Sequence, residues 1–332
     1  MGKTVGKTVK ILSIDGGGIR GIIPATVAAQ IEKNTGQPIS HLFDLIAGTS
    51  TGGILALGLT KPGPTGQPQY TAQAMAELYS SQGAKIFGRS LWYQILALGN
   101  LSLQKYPRRG LEDVLQQYFG GTTLAQATTN VLVTSYEIEK SFPFFFRSSD
   151  ARTKSGYNFL MRDVARATSA APTYFEPVQV KSSNPSTSRP ELYTLIDGGV
   201  YANNPAACAL VEAHATFPDA ENFLVVSLGT GNMTRSIAFE EARHWGVAGW
   251  VRPLLDVVFD GVSSTVDYQL RQLFSSSTDD DNYYRFQPTL TSEHAAMDNA
   301  TPGNVAALQS IAHDLVVSQE PAIHRLCHTL MN

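Results

Sequence analysis

The chain of 332 residues is 43% hydrophobic and carries a formal net charge of -3. That is ample length and apolar content for a sizeable core. With no Lys/Arg block able to track phosphates, nucleic acid is excluded as a partner, and no uninterrupted apolar stretch reaches bilayer-spanning length.

The first ten residues, MGKTVGKTVK, lack the apolar centre of a secretory signal. Position 6 is glycine where a myristoylation pattern asks for Ser or Thr. GKTVGKT leaves three residues between Gly2 and Gly6, where a P-loop needs four. Residues 1–8 therefore read as a flexible terminus. Val9–Ile14 reads as a buried strand, and Gly21–Asn34 as the helix after it, ending near Gly36. Leu42–Ala47 is a second short strand, and the helix through Ile54–Leu59 begins just beyond it. Lys61–Gln69, KPGPTGQPQ, is a surface loop.

Helices follow at Ala72–Ser81 and Leu111–Phe119, strands at Val131–Ile138 and Phe142–Arg147, and a helix at Met161–Ser169, stopped by Pro172. Beyond the loop Ser182–Pro190 comes the strand Leu192–Ile196. Asn204 then caps a helix with Pro205 in its first turn, and Phe223–Leu228 is a further strand. From about 233 to 332 the chain reads as mainly helical. Cys208 and Cys327 lie far apart in helix-like contexts and read as buried reduced thiols, which suits a cytoplasmic protein.

Short apolar strands alternating with helices predict one α/β domain over 1–332, a three-layer α/β/α fold with a mainly parallel central sheet. Ligands of such sheets gather beyond the strands' carboxyl ends. Gly16–Gly18, Gly48–Gly53 and Gly198–Gly199 all fall at such ends.

Gly48-Thr49-Ser50-Thr51-Gly52 fits G-x-S-x-G between an apolar strand and an apolar helix, the context of a nucleophile elbow. Glycine at 48 and 52 makes room for the tight backbone, and the helix directs its positive end at Ser50. Gly16, Gly18 and Gly21 satisfy the dinucleotide pattern G-x-G-x-x-G. Its acidic partner is missing, however: Asp44 stands at the start of the second strand, whose end holds the serine elbow. The amides of Gly16–Gly18 therefore read as an oxyanion hole for an ester bound at Ser50. Asp197, in LIDGGVYANNP, reads either as a catalytic acid/base at a strand end or as a turn aspartate.

Together DGGGIRG, GTSTGG and DGG, with RATSAAPTYFEP (Arg166–Pro177) and SLGTG (Ser227–Gly231), resemble the patatin-like phospholipase family over most of the chain. The resemblance implies lipid acyl hydrolysis of the phospholipase A, lysophospholipase or galactolipase type, by a Ser-Asp dyad. Ser50 would be the nucleophile, Asp197 the base, and Gly16, Gly17 and Gly18 the oxyanion loop. Arg20 matches the family's basic residue there, with a substrate-positioning role. The implied partners are membrane glycerolipids, met peripherally from the cytoplasm or after delivery to another cell. No metal or organic cofactor is implied. Because the family includes storage proteins, a storage or lipid-binding protein with incidental esterase activity is the alternative, and a nucleotide-binding protein a more distant one.

Three further stretches bear on the site. Ser169 lacks an elbow and reads as a helix terminus. Ser90–Leu103, apolar and flanked by Arg89 and Lys105, reads either as an interfacial lid or as a buried helix. STDDDN (Ser277–Asn282) lacks calcium-loop spacing and reads as a solvated turn.

Overall fold

In β1 (Thr8–Ile14), Val9 and Ile11 face one hydrophobic cluster while Leu12 and Ile14 face another. β7 (Asn222–Leu228) divides in the same way, with Phe223 and Val225 on one side and Leu224, Val226 and Leu228 on the other. A strand apolar on both faces must be covered on both, and this pattern sets the three layers. The computed structural model describes residues 7–86, 108–184, 192–233, 237–275 and 282–332.

The remaining strands are β2 (Leu45–Thr49), β3 (Asn130–Glu137), β4 (Phe142–Arg147), β5 (Val178–Lys181), β6 (Leu192–Asp197), β8 (Asn232–Met233), β9 (Tyr283–Phe286) and β10 (Thr289–Leu290). The main sheet has eight strands in the order β5-β6-β3-β2-β1-β7-β9, with β4 also paired to β3. Its centre, β3-β2-β1-β7-β9, is parallel. β4 and β6 add antiparallel to opposite edges of β3, and β5 antiparallel to β6, so the mainly parallel α/β/α expectation is met. β8 and β10 form a separate two-stranded sheet.

The larger cluster packs one face of the sheet beneath helices Ile22–Thr35, Thr51–Thr60, Ala72–Ile86, Pro302–Ser318 and Glu320–Met331. Across the sheet, helix Ala206–Thr216 buries Ala206, Ala209, Leu210 and Ala213, and Leu270 joins them from the long helix Val247–Phe274. Every residue of helix Thr51–Thr60 is buried.

The second strand begins at Leu45 rather than at Leu42. The Asp44 amide bonds to the Lys10 carbonyl at 2.8 Å, and its carboxylate accepts the Lys10 amide at 2.8 Å. This aspartate clamps the chain where it enters the sheet, and Ile39–Leu42 forms a single helical turn before it. The sequence patterns also omit β5 and β9. Each is only four residues long, too short to show a period of two. The candidate lid Ser90–Leu103, residues 1–6 of the terminus read as flexible over 1–8 and most of the acidic stretch (277–281) lie outside the described residues. Thr8, by contrast, is already part of β1 and pairs with Asn222.

Candidate active site

β3 carries two partners end to end along one edge. Its residues 130–134 pair with β2, the last pair being Thr49 with Thr134, and Ser135–Glu137 pair with β6 from Asp197 onward. Because β4 spans residues 132–137 on the opposite edge, β2 and β6 must share the other one. They run in opposite directions, so their carboxyl ends meet tip to tip. Thr49 stitches this junction, its hydroxyl donating to the Ala202 carbonyl at 2.6 Å and lying 2.6 Å from the Thr134 hydroxyl.

Ser50 leaves β2 with φ at 55°, a region that side-chain-bearing residues rarely enter and one associated with functional strain. Its amide donates to the Thr168 hydroxyl at 2.8 Å, and helix Thr51–Thr60 starts at the next residue. A side chain at Gly48 would run into the Gly52 carbonyl, and one at Gly52 into the Ile14 carbonyl. The glycines flanking Ser50 are therefore required by backbone crossing backbone.

Asp197 is 1% exposed. Its carboxylate accepts the Gly199 amide at 2.7 Å and lies within hydrogen-bonding reach of the Ser50 hydroxyl. Burial pushes this carboxyl up to about 7, opposed by the hydrogen bonds from Ser50 and Gly199. A carboxylate that titrates near neutrality is matched to general-base work at that pH.

The glycine loop stands opposite. The Gly16 amide donates to the Asn203 carbonyl at 3.0 Å, so it is spent on structure and cannot face a ligand. The amides of Gly17 and Gly18 meet no acceptor among the described residues. Both residues line the cleft that holds Ser50 and Asp197, whose other walls are apolar and include Ile54, Leu78, Ile86, Phe175, Phe259 and Met297. None of the seven histidines lines it. His294 is instead paired at 2.9 Å with Asn304.

The patatin-like phospholipase model matches residues 12–210, a span that contains Gly16–Gly18, Ser50 and Asp197. The chain belongs to the patatin-like phospholipase family. Relatives agree along nearly the whole length. Patatin-like protein 4 of Arabidopsis thaliana is 33% identical, with 94% of this chain and 84% of the relative covered. Patatin-like protein 2 of the same plant is 35% identical over 94% and 84%. Patatin-T5 of Solanum tuberosum is 32% identical over 94% and 85%.

In this patatin-like chain Arg20, to which the resemblance gives a substrate-positioning role, lies behind the glycine loop. It is 2% exposed and absent from the cleft wall, with its Nε donating to the Gly17 carbonyl at 3.3 Å and Nη1 to the Gly231 carbonyl at 3.5 Å. Desolvation lowers its pKa, opposed chiefly by the charges of Asp260 and Asp256. The Arg20 amide also bonds to the Gly17 carbonyl, at 3.2 Å. In a planar trans peptide the C=O and N–H point in opposite directions, so holding the Gly17 carbonyl back leaves the Gly18 amide facing the other way. Arg20 braces the loop from behind.

Ser169 terminates helix Met161–Thr168, as the sequence suggests, and also lines the cleft. Its buried hydroxyl has no hydrogen-bond partner among the described residues. Sequence reasoning overlooked Thr168, and it overlooked the pair beneath the glycine loop. There Arg285 on β9 grips Asp15 through two contacts, at 2.9 Å and 2.5 Å, with side chains 4% and 1% exposed. Asp15 carried a signal, since a charge ending an otherwise apolar strand needs a partner. Arg285 carried none. Among the described residues no helix is long and apolar enough to cross a membrane, and no cluster of His, Cys, Asp and Glu could hold a metal ion. Cys208 and Cys327 are free thiols.

Proposed function

We propose that this patatin-like protein is a serine acyl hydrolase of membrane glycerolipids, of the phospholipase A, lysophospholipase or galactolipase type, working through a Ser50-Asp197 dyad. Asp197 accepts the hydroxyl proton as Ser50 Oγ attacks the ester carbonyl carbon. The resulting oxyanion lies against the Gly17 and Gly18 amides, each such donor contributing roughly 3 kcal/mol to the transition state. Collapse of the tetrahedral species breaks the bond to the alcohol, which leaves with the proton held by Asp197. Water then cleaves the acyl-enzyme with Asp197 again as base. No step calls on a metal or organic cofactor.

One observation carries this reading: a fully buried carboxylate, raised to about 7, within reach of the strained serine of a glycine-flanked turn. The apolar walls of the cleft suit an acyl chain, and the family supplies the lipid. Contact with the bilayer is peripheral, from the cytoplasm or after delivery to another cell. The test is incubation with vesicles of mixed phospholipids and galactolipids, followed by mass spectrometry of the products. Release of free fatty acid and the matching lysolipid is expected from wild type. Unchanged lipids in every class would reject the proposal and favour a storage or binding protein.

A further inference from the structure

Gly17 and Gly18 can act as oxyanion donors only if their amides are aimed, and a run of glycines does not aim itself. With no side chain, glycine loses more conformational freedom on ordering than any other residue. Something must hold each peptide plane. For the peptide between Gly17 and Gly18 that role falls to Arg20. For the peptide between Gly16 and Gly17 a different residue is in place.

The Thr230 hydroxyl donates to the Gly16 carbonyl at 2.6 Å, and both groups are buried. It is the one hydrogen bond to that carbonyl among the described residues. Thr230 is itself firmly placed. It follows β7, between Gly229, whose amide bonds to the Phe286 carbonyl at 2.9 Å, and Gly231, whose amide bonds to Gln287 Oε1 at 2.8 Å. The contact is intimate: a side chain at Gly17 would run into Thr230 Oγ1 and stand 2.6 Å from its Cβ. Pulling the Gly16 carbonyl towards Thr230 turns the Gly17 amide to the opposite side of the same plane. That amide has no described acceptor and belongs to a residue of the cleft wall.

We propose that Thr230 is a positioning residue that aims the Gly17 amide at the developing oxyanion. The proposal rests on the reading of Gly17 and Gly18 as the oxyanion hole. Thr230 touches neither substrate nor Ser50, and it acts through the peptide it holds. Its effect belongs to the transition state, in which charge on the oxygen is greatest.

The test compares Thr230→Ala with Thr230→Ser on a soluble short-chain p-nitrophenyl ester, alongside Ser50→Ala. Complete removal of an oxyanion donor costs about 10²–10³ in kcat, and a donor that is present but no longer aimed costs less. Thr230→Ala is expected to lower kcat roughly 10- to 100-fold with KM within about twofold of wild type. Thr230→Ser keeps the hydroxyl and should recover most of the rate, although both variants lose the methyl group and its packing. If the alanine variant fails to fold, Thr230→Val, which keeps the volume, replaces it in the comparison with Thr230→Ser. Wild-type kcat in the hydroxyl-free variant, equal loss in both variants, or a loss carried by KM would overturn the role of Thr230. Substantial activity in Ser50→Ala would instead overturn the underlying assignment, so the two failures are distinguishable.

Discussion

Thr49 and Asp197 lie opposite consecutive residues of one strand, Thr134 and Ser135 of β3. That single step of register brings the end of an antiparallel strand against the end of a parallel one. It sets the Asp197 carboxylate within reach of the hydroxyl of Ser50, the residue after Thr49.

If this junction is the catalytic dyad, Ser50→Ala and Asp197→Asn should each lower ester turnover by roughly three orders of magnitude or more without unfolding the protein. A fluorophosphonate probe, read by peptide mass spectrometry, should label Ser50 alone. Labelling at Ser169, the other serine hydroxyl of the cleft wall, would shift the nucleophile.

The raised carboxyl gives two pH dependences. As a base Asp197 must be ionised, so kcat/KM should climb with pH and level off above about 7. For stability the sign is opposite. The native carboxyl holds its proton more tightly than the unfolded one, so its contribution is complete below about pH 4 and is lost as pH rises to about 7. The loss is on the order of 3–4 kcal/mol. Asp197→Asn escapes it, and urea denaturation should show the variant gaining on wild type between pH 5 and pH 8. A constant difference between the two would mean that Asp197 stays ionised throughout.

Removing the Arg285 guanidinium leaves the Asp15 carboxylate buried and unpaired beneath the glycine loop. Arg285→Met should therefore destabilise the protein by about 3–5 kcal/mol. Adding Asp15→Asn should restore part of this, giving a coupling energy that a double-mutant cycle can measure. Strict additivity would show that the two groups act separately.

Gly48→Ala introduces a methyl group that meets the Gly52 carbonyl and stands 2.5 Å from the Gly53 nitrogen. Neither atom is the end of a flexible side chain, so the elbow must open. Destabilisation of about 3 kcal/mol or more is expected in thermal or urea unfolding, with loss of probe labelling at Ser50. A stable, reactive variant would show that the turn has slack.

A dyad leaves no part for histidine. His294→Ala breaks the contact with Asn304 and should keep most of the wild-type turnover, with a modest loss of stability of about 1 kcal/mol. If a folded His294→Ala variant fell to the level of Ser50→Ala, the enzyme would belong with the triad hydrolases.

The sequence by itself determined the alternation of strands and helices, the elbow at Ser50 and the glycine loop. Each depends on neighbours within a few residues: small residues where a strand turns into a helix, apolar runs on either side, no side chains where backbone crosses backbone. From the residues alone Asp197 was legible as a strand-end aspartate, and as the partner of Ser50 only through the family resemblance. Their meeting depends on β6 adding antiparallel to the last three residues of β3, and side-chain periodicity along a strand does not reveal which strand it pairs with or in which direction. Arg20 shows the same limit from the other side. The resemblance gave it a substrate-positioning role, but its direction is set by the carbonyls of Gly17 and Gly231 behind the loop. Thr230, just after β7, and Arg285, on β9, come from late in the chain, and only the packing of β7 and β9 beside β1 brings them under the loop.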